Sequence, residues 1–337
     1  AVGGGGGLRP GAGGGLAAGT VQSRHGAVVG AAALTRALQE LVAAENQTSL
    51  RNLVPALEKL RAYRGRGGEV VRQAACKLLC AVAGAVSWPF KDATSTRYLQ
   101  TVDECARHTT DAIQVAAAEA LHALAAHRLS AELSRKALGS YIAGLKKADE
   151  TIAARRGYVL CIGALPPAVL REQCADVLAT LAAEAQGLGL PGGKDQEDPQ
   201  TRQYAVLSLG RACFGMRLGG DELAAVVEAL EAALQDYALD RRGDVGSWVR
   251  EAAMEVVAAI LQAQRQPEPT GLALPSPGAS TRLTALLLQQ AVEKIDRLRE
   301  RAFGLLYRLF CDAPPAVGSG VDAAFRRVCH GEAYDLL

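Results

Sequence analysis

The chain has 337 residues, 49% of them hydrophobic but only 4% aromatic, and a formal net charge of +2. The near balance of 37 basic and 35 acidic residues excludes the concentrated basic face that nucleic-acid binding demands. A core built mainly of alanine, leucine and valine favours closely packed helices, because small side chains let helix axes approach and alanine and leucine have high helix propensity.

The amino-terminal stretch AVGGGGGLRPGAGGG has too little apolar surface to fold. We predict that residues 1–24 are a disordered, glycine-rich start, and we treat the chain as a fragment of a longer protein. Apolar runs such as residues 78–86 are far shorter than the ~20 residues that a bilayer span needs. No transmembrane segment is therefore expected.

From residue 25 onward, apolar residues recur at a spacing of three to four, and no convincing strand pattern alternates. The chain is therefore predicted to be all-α. Thr48, Ser130 and Asp221 each precede an apolar-periodic run and are predicted to cap a helix by accepting hydrogen bonds from free amides of its first turn. Clusters of glycine and proline predict breaks or loops at residues 64–68, 87–90, 166–167, 187–199 and 267–280.

Three segments share one layout: VRQAACKLL (71–79), VREAAMEVV (249–257) and LRERAFGLL (298–306). Each has an arginine followed by apolar positions that would face inward on a helix. Weaker copies give six equivalent positions, at Arg72, Gln114, Arg156, Gln203, Arg250 and Arg299. Their spacing of about 42–49 residues is that of a two-helix unit of the HEAT or armadillo type. Residues 25–337 are therefore predicted to form one continuous α-solenoid of stacked antiparallel helix pairs.

The pattern D-x-x-x-x-V-R-x-x-A resembles HEAT-type repeats, and Asp244, Val249, Arg250 and Ala253 fill it. The resemblance implies an Asp–Arg ladder between neighbouring units. It also makes the charged segment before Arg250 the turn inside one repeat. The residues assigned to this structural ladder are Arg72, Arg156, Arg250 and Arg299.

Eight cysteines are scattered along the chain, and none forms a C-x-x-C pair. This pattern is typical of buried, reduced thiols in a cytosolic protein. Cys76 and Cys80 share a helix face, as His122 and His127 nearly do, but neither pair has companions at metal-ligand spacing. No metal and no cofactor are predicted.

Sequences that suggest other functions fail on context. GLGLPG (187–192) matches G-x-G-x-x-G but follows a helix and contains a proline, and GGK (192–194) lacks the residues of a phosphate loop. Arg-Gly-Asp (242–244) would need an exposed extracellular loop. No nucleophile–base or paired-carboxylate arrangement can be anchored, because polar residues fall on turns and solvent faces. We therefore expect a protein that is not an enzyme.

The stretch DYALDRRGDVGSWVREAAM (236–254) resembles the tubulin-folding cofactor D family. Three further segments occur in the same order as in that family: VRQAACKLLCAVA (71–83), IGALP (162–166) and VEKIDRLRERA (292–302). The likeness covers roughly residues 34–330 and corresponds to the carboxyl-terminal half of the family's proteins.

The resemblance implies a function that composition could not show. Members of the family capture β-tubulin, join cofactors C and E around the αβ-tubulin heterodimer, and bind an ADP-ribosylation-factor-like small GTPase. Together with cofactors C and E they stimulate GTP hydrolysis by tubulin, so the hydrolysis belongs to tubulin. A cytoplasmic, cytoskeleton-associated location follows from the same resemblance, with centrosomes and cell junctions as further family sites. The alternative is a generic solenoid adaptor with other clients.

Trp248 lies close in sequence to a charged turn and gives a candidate partner-binding site. Tryptophan is common at the centre of protein interfaces, where polar and charged residues surround it, so Trp248 could anchor a partner with the charged turn at its edge. Packing of the ring between repeats is the competing interpretation, and for Arg250 the competing interpretation is a ladder or capping role without a partner. The candidate contact residues are Asp240, Arg241, Arg242, Asp244 and Trp248.

Overall fold

The computed structural model describes residues 20–63, 67–188, 198–265, 272 and 274–312. Most of the predicted glycine-rich start, and much of the predicted loops at 187–199 and 267–280, lie outside the described residues. The first helix begins at Val21, inside the segment 1–24. The chain divides into two compact units, Ala1–Lys136 and Ala137–Leu337, and the boundary falls within a helix.

Fourteen α-helices make up most of the described residues, which confirms the all-α prediction. The first unit holds α1 (Val21–Leu38), a 3-10 turn (Gln39–Leu41), α2 (Ala44–Lys59), α3 (Gly68–Gly84), α4 (Asp92–Ala106) and α5 (Asp111–His127). Helix α6 (Ala131–Leu145) crosses the boundary between the units.

The second unit continues with α7 (Ile152–Ala164), α8 (Pro167–Arg171), α9 (Cys174–Ala185), α10 (Pro199–Met216) and α11 (Gly220–Leu234). After two short strands follow α12 (Gly246–Gln264), α13 (Pro277–Gln290), α14 (Asp296–Tyr307) and a π-helical turn (Arg308–Asp312). The strands, β1 (Leu239–Asp240) and β2 (Gly243–Asp244), form a small antiparallel ladder. The sequence analysis did not predict them, because two-residue strands show no alternating pattern.

Every second long helix belongs to an inner layer in which neighbours pack side by side. In the first unit the inner helices are α1, α3 and α5, and in the second they are α7, α10, α12 and α14. Outer helices α4, α9, α11 and α13 pack against the inner helix that follows them. All six copies of the repeated motif lie on inner helices, so each unit is an array of HEAT- or armadillo-type helix pairs. A single continuous array over 25–337 stays a prediction.

Small residues let successive inner helices of the second unit approach closely. A Cβ atom added to Gly163 on α7 would lie 2.7 Å from the Cβ of Ser208 on α10. A Cβ on Gly210 of α10 would likewise lie 2.7 Å from a methyl carbon of Val256 on α12. Both distances are shorter than carbon–carbon contacts allow, so glycine is required at these two crossings.

The predicted helix starts had mixed outcomes. Ser130 caps α6, because its Oγ accepts a hydrogen bond from the Leu133 amide at 3.2 Å. The prediction for Thr48 is wrong: α2 begins earlier, at Ala44, and the Thr48 hydroxyl donates back to the Ala44 carbonyl inside the helix. Asp221 is also not a cap. It lies in the first turn of α11, where a carboxylate interacts favourably with the positive end of the helix dipole.

Candidate interaction site and the buried arginine ladder

The charged turn before α12 is a tight β-hairpin, formed by residues 239–244. Leu239 pairs with Asp244, and Asp240 pairs with Gly243, whose φ of 102° is in the left-handed region that glycine adopts readily. The chain then packs closely against its own start. A Cβ atom on Gly246 would lie 2.2 Å from the Asp236 carbonyl oxygen, so this position also requires glycine.

Arg242 is neutralised inside the hairpin. Its Nε and Nη2 donate to Asp240 Oδ2 at 2.8 and 2.6 Å, and its backbone amide donates to Asp240 Oδ1 at 2.7 Å. The hydrogen bond from the Arg242 side chain lowers the pKa of Asp240. The guanidinium also lies 5.2 Å from the centroid of the Trp248 ring, which is half-buried. Asp240, Arg242 and Trp248 therefore form one surface cluster.

Asp244 faces inward and serves the fold. Its Oδ1 accepts from the Ser247 amide at 3.0 Å, which satisfies a free amide at the start of α12. Its Oδ2 accepts from Arg250 Nη2 at 2.8 Å. Arg250 has no exposed side-chain surface, so the pair is buried on the arginine side. Of the five candidate contact residues, Asp244 is the one committed to an internal ion pair with α12.

Arg250 joins three elements. Its Nη1 donates to the Asp236 carbonyl just after α11 at 2.5 Å, and its Nε donates to Gln290 Oε1 in the last position of α13 at 3.1 Å. The Tyr237 ring lies 4.2 Å from the guanidinium carbon. Gln290 in turn donates to the Leu234 carbonyl at 3.1 Å. The hairpin is therefore fixed to its own repeat and to the next one.

The same arrangement recurs along the second unit as a ladder of buried arginines, which we define as Arg155, Arg202 and Arg250. Each lies near the start of an inner helix and reaches the carboxyl-terminal end of the outer helix in the next repeat. Arg155 pairs with Glu184 near the end of α9, and Arg202 pairs with Asp236 after α11 at 2.5 Å. Arg155 also donates to the Leu145 carbonyl at 2.8 Å.

In two copies of the repeated motif, the predicted position of the ladder residue is wrong by one residue. Arg155, not Arg156, occupies the buried position on α7, and Arg202, not Gln203, occupies it on α10. Arg156 lies beside the ladder and pairs with Asp198 at 2.8 Å. In the first unit the corresponding buried residue is Gln114, which donates to the Ala106 carbonyl at the end of α4 at 3.1 Å.

Two of the predicted ladder arginines have other partners. Arg299 donates to the Glu293 carbonyl at 2.8 Å and to the Asp296 carboxylate, so it closes the turn before α14. Arg72 lies 4.2 Å from the centroid of the Tyr63 ring. Its Nη1 lies 3.9 Å from Cys105 Sγ.

Two exposed side chains of this region, Leu239 and Tyr237, were missed as contact candidates by the sequence analysis, which did name Arg241. Leu239 is 77% exposed and Tyr237 is 45% exposed. Arg241 is exposed and makes no hydrogen bond or ion pair within the described residues. In the next repeat, Val292 is 79% exposed, and Gln289 donates to the Tyr237 hydroxyl at 3.3 Å. An apolar residue inside a run of charged ones was the available signal for Leu239.

A second surface feature is an open groove of about 500 Å³ between α12 and α14. Arg297 pairs with Glu251 and Arg301 pairs with Glu255 across it, and Arg308 lies at one end. Charges of both signs line the groove, so its walls favour neither a simple anion nor a simple cation.

The described residues contain no group of three or more histidine, cysteine or acidic side chains that could hold a metal ion. No helix in the described ranges combines the length and the apolar character that membrane crossing requires. GLGLPG begins directly after α9, and residues 189–197 of that loop lie outside the described residues.

The family model for the tubulin folding cofactor D C terminal matches residues 281–332. Over this segment the chain is similar to the carboxyl-terminal part of that family's proteins. For these residues the match confirms the resemblance found in the sequence. It covers most of α13, where Gln290 contacts Arg250 and Gln289 contacts Tyr237, and all of α14 and the π-helical turn.

The similar solved structures include designed armadillo repeat proteins and other engineered proteins. A designed armadillo repeat protein in complex with a (KR)4 peptide is 12% identical, with 77% of this chain and 99% of that chain covered and a TM-score of 0.40. Another engineered protein is 14% identical, with 94% of this chain and 82% of that chain covered and a TM-score of 0.42.

Proposed function

We propose that this chain is part of a tubulin folding cofactor that binds β-tubulin and scaffolds assembly and disassembly of the αβ-tubulin heterodimer. The observation that carries the proposal is the family match at residues 281–332. The stretch 236–254 supports it, because the structure ties this stretch to the matched segment through Arg250, Gln290 and Tyr237. The two segments that carry the likeness to the family, 236–254 and 281–332, are therefore in contact.

The chain acts in this proposal as a non-catalytic scaffold in the cytoplasm, associated with the cytoskeleton. Its other partners are cofactors C and E and an ADP-ribosylation-factor-like small GTPase. GTP hydrolysis is carried out by tubulin, and the cofactor promotes it within the complex. A helical-repeat array suits this work, because side chains from successive repeats together form an extended surface for a folded client.

The proposed contact surface is the hairpin with the residues around it. Among the candidates, Arg241 makes no hydrogen bond or ion pair within the described residues, while the Arg242 cluster with Asp240 and Trp248 forms a polar and aromatic rim. Leu239 adds an apolar side chain that water covers in the free chain. Burying it fully against a client would contribute about 2 kcal/mol. Asp244 acts indirectly, because it positions the hairpin through Arg250.

The test is a titration of purified αβ-tubulin against wild-type protein and two variants, Leu239→Asp and Arg241→Glu. Each is expected to weaken binding at least tenfold and to leave the thermal unfolding curve unchanged, because neither side chain has a partner to lose within the described residues. The matched control is Val86→Asp, at a side chain that is 62% exposed in the first unit. It should bind like wild type.

The outcomes separate the proposal from its alternative. Tubulin binding that all three variants share with wild type would leave the cofactor role standing and overturn the hairpin as contact surface. Wild-type protein that captures no tubulin but binds other soluble proteins specifically would favour a generic repeat adaptor. Tubulin binding that stays the same when cofactors C and E are added would also favour it.

A further inference from the structure

Two cysteines on neighbouring helices of the first unit meet in its interior. Cys76 lies in the middle of α3 and is 0% exposed, and Cys105 lies in the last turn of α4 and is 1% exposed. The Cys76 thiol hydrogen-bonds to Cys105. Arg72, one helical turn before Cys76, directs Nη1 at the Cys105 sulfur from 3.9 Å. Its guanidinium is held there by the Tyr63 ring.

This environment favours the thiolate form of Cys105. The hydrogen bond from Cys76 lowers the pKa of Cys105 most, burial opposes the change, and the nearby Arg72 charge adds to the lowering. Cys213 in the second unit shows the contrast. It is buried on α10, and burial raises its pKa to about 12. The surroundings of these two buried thiols therefore shift their pKa values in opposite directions.

We propose that Cys105 and Cys76 form a peroxide-reactive thiol pair that closes into a disulfide between α3 and α4. A sulfur with a lowered pKa beside a second thiol and a cation has the electrostatic environment of redox-sensitive cysteines, which are also accessible to solvent; here access depends on local opening of the fold. Cys105 is the attacking sulfur, Cys76 is the resolving thiol, and Arg72 is a positioning residue that stabilises the thiolate.

The chemistry proceeds in two balanced steps. The Cys105 thiolate attacks one oxygen of a hydroperoxide, an S–O bond forms, and the O–O bond breaks. The departing oxygen takes a proton and leaves as water or an alcohol, so Cys105 becomes a sulfenic acid. The Cys76 sulfur then attacks the Cys105 sulfur, the S–O bond breaks, and the hydroxyl leaves as water with the Cys76 proton. Sulfur is oxidised and the peroxide is reduced.

Access is the step that the fold controls. Both thiols are buried, so peroxide must enter when the last turn of α4 opens. That turn is held by the hydrogen bond from Gln114 Nε2 to the Ala106 carbonyl. Helix ends open more readily than helix interiors. We therefore expect slow oxidation of the folded chain, with opening of this turn limiting the rate.

The experiment treats the full chain with hydrogen peroxide, blocks remaining thiols, and maps cysteine-containing peptides without reduction. A peptide pair joined through Cys76 and Cys105, lighter by two hydrogen atoms, is expected to form before any other disulfide. Cys76→Ser should stop at the sulfenic acid, which dimedone then labels at Cys105. Arg72→Met should slow the reaction at least threefold. Cys213→Ser is the matched control and should react like wild type.

Circular dichroism of each variant checks that the helical content matches wild type. Gln114→Ala is a second test variant, because it removes the hydrogen bond that holds the end of α4 and leaves both cysteines in place. It should speed disulfide formation. Oxidation that joins other cysteines first, or that proceeds at the same rate in Arg72→Met, would overturn the assignment. Dimedone labelling of Cys213 as fast as that of Cys105 would do the same.

Discussion

Replacing Arg250 with alanine should be among the most destabilising single changes in the second unit. The side chain is fully buried and makes hydrogen bonds to Asp244, to Gln290 and to the Asp236 carbonyl. Removing one partner of a buried ion pair typically costs 3–5 kcal/mol, because the other charge stays behind without compensation. Asp244 is 23% exposed, so water can partly solvate it. We therefore expect about 3 kcal/mol.

The measurement is urea unfolding followed by far-UV circular dichroism, with the transition of the second unit compared between variants. Arg250→Lys restores the charge but not the planar fork that reaches three acceptors, so it should fall between wild type and alanine. Arg297→Ala is the matched control. Arg297 also pairs with a glutamate between neighbouring helices, but it is 50% exposed. Exposed pairs contribute about 0–1 kcal/mol.

A loss in Arg250→Ala no larger than that in Arg297→Ala would refute the reasoning. It would mean that the free energy of desolvating the guanidinium is as large as the free energy gained from its three hydrogen-bond acceptors. The ladder would then order the repeats without stabilising them. Arg202→Ala gives an independent check, because its carboxylate partner Asp236 is 11% exposed and the same argument predicts a loss of about 3 kcal/mol.

Three further predictions follow from burial and exposure. Trp88→Ala should cost about 3–5 kcal/mol, whereas Trp248→Ala, at a half-buried ring, should cost about 1–2 kcal/mol in the same urea assay, and equal losses would contradict this. Burial raises the pKa of Glu184 above its usual 4.5, so the folded chain binds this proton more tightly and the glutamate's contribution to stability falls as the pH rises. The difference in stability between Glu184→Gln and wild type should therefore shift in favour of the glutamine variant as the pH rises above about 4.5, and a pH-independent difference would rule the shift out. Leu34 and Leu41 are 59% and 81% exposed, so the chain should self-associate in sedimentation runs, and glutamate at both positions should reduce this association. A wild-type chain that stays monomeric at high concentration would count against it.

Periodicity predicted the inner helices because burial itself is periodic. Each inner helix presents one apolar face to its neighbours, and this face repeats at every 42–49 residues whatever the loops between do. It was harder to predict which arginine in each copy of the motif is the buried one. Arg155 and Arg156 are adjacent, and both keep the apolar pattern intact. Which one is buried depends on Glu184, an acid 29 positions later whose place is set by packing of α9.

The hairpin could not be predicted from pattern for a related reason. Its strands are two residues long, and its shape depends on close packing at Gly246 and on Gly243 in the left-handed region. The same limit applies to the cysteines. Cys76 and Cys80 share a face of α3 in sequence, but the partner of Cys76 is Cys105, which a different helix supplies.

The roles of the charged residues around the hairpin follow from the number of carboxylates that face them. Three ion pairs occupy these carboxylates. They are Arg202–Asp236, Arg242–Asp240 and Arg250–Asp244. Arg242 lies two positions after Asp240 in the same hairpin and pairs with it, and α12 positions Arg250 against Asp244. In the part of the chain that the structure describes, Arg241 forms no ion pair, and it lies in the exposed turn two positions after Leu239. A client that covers this turn must desolvate a cation and a leucine together, so its surface has to offer a carboxylate beside an apolar depression.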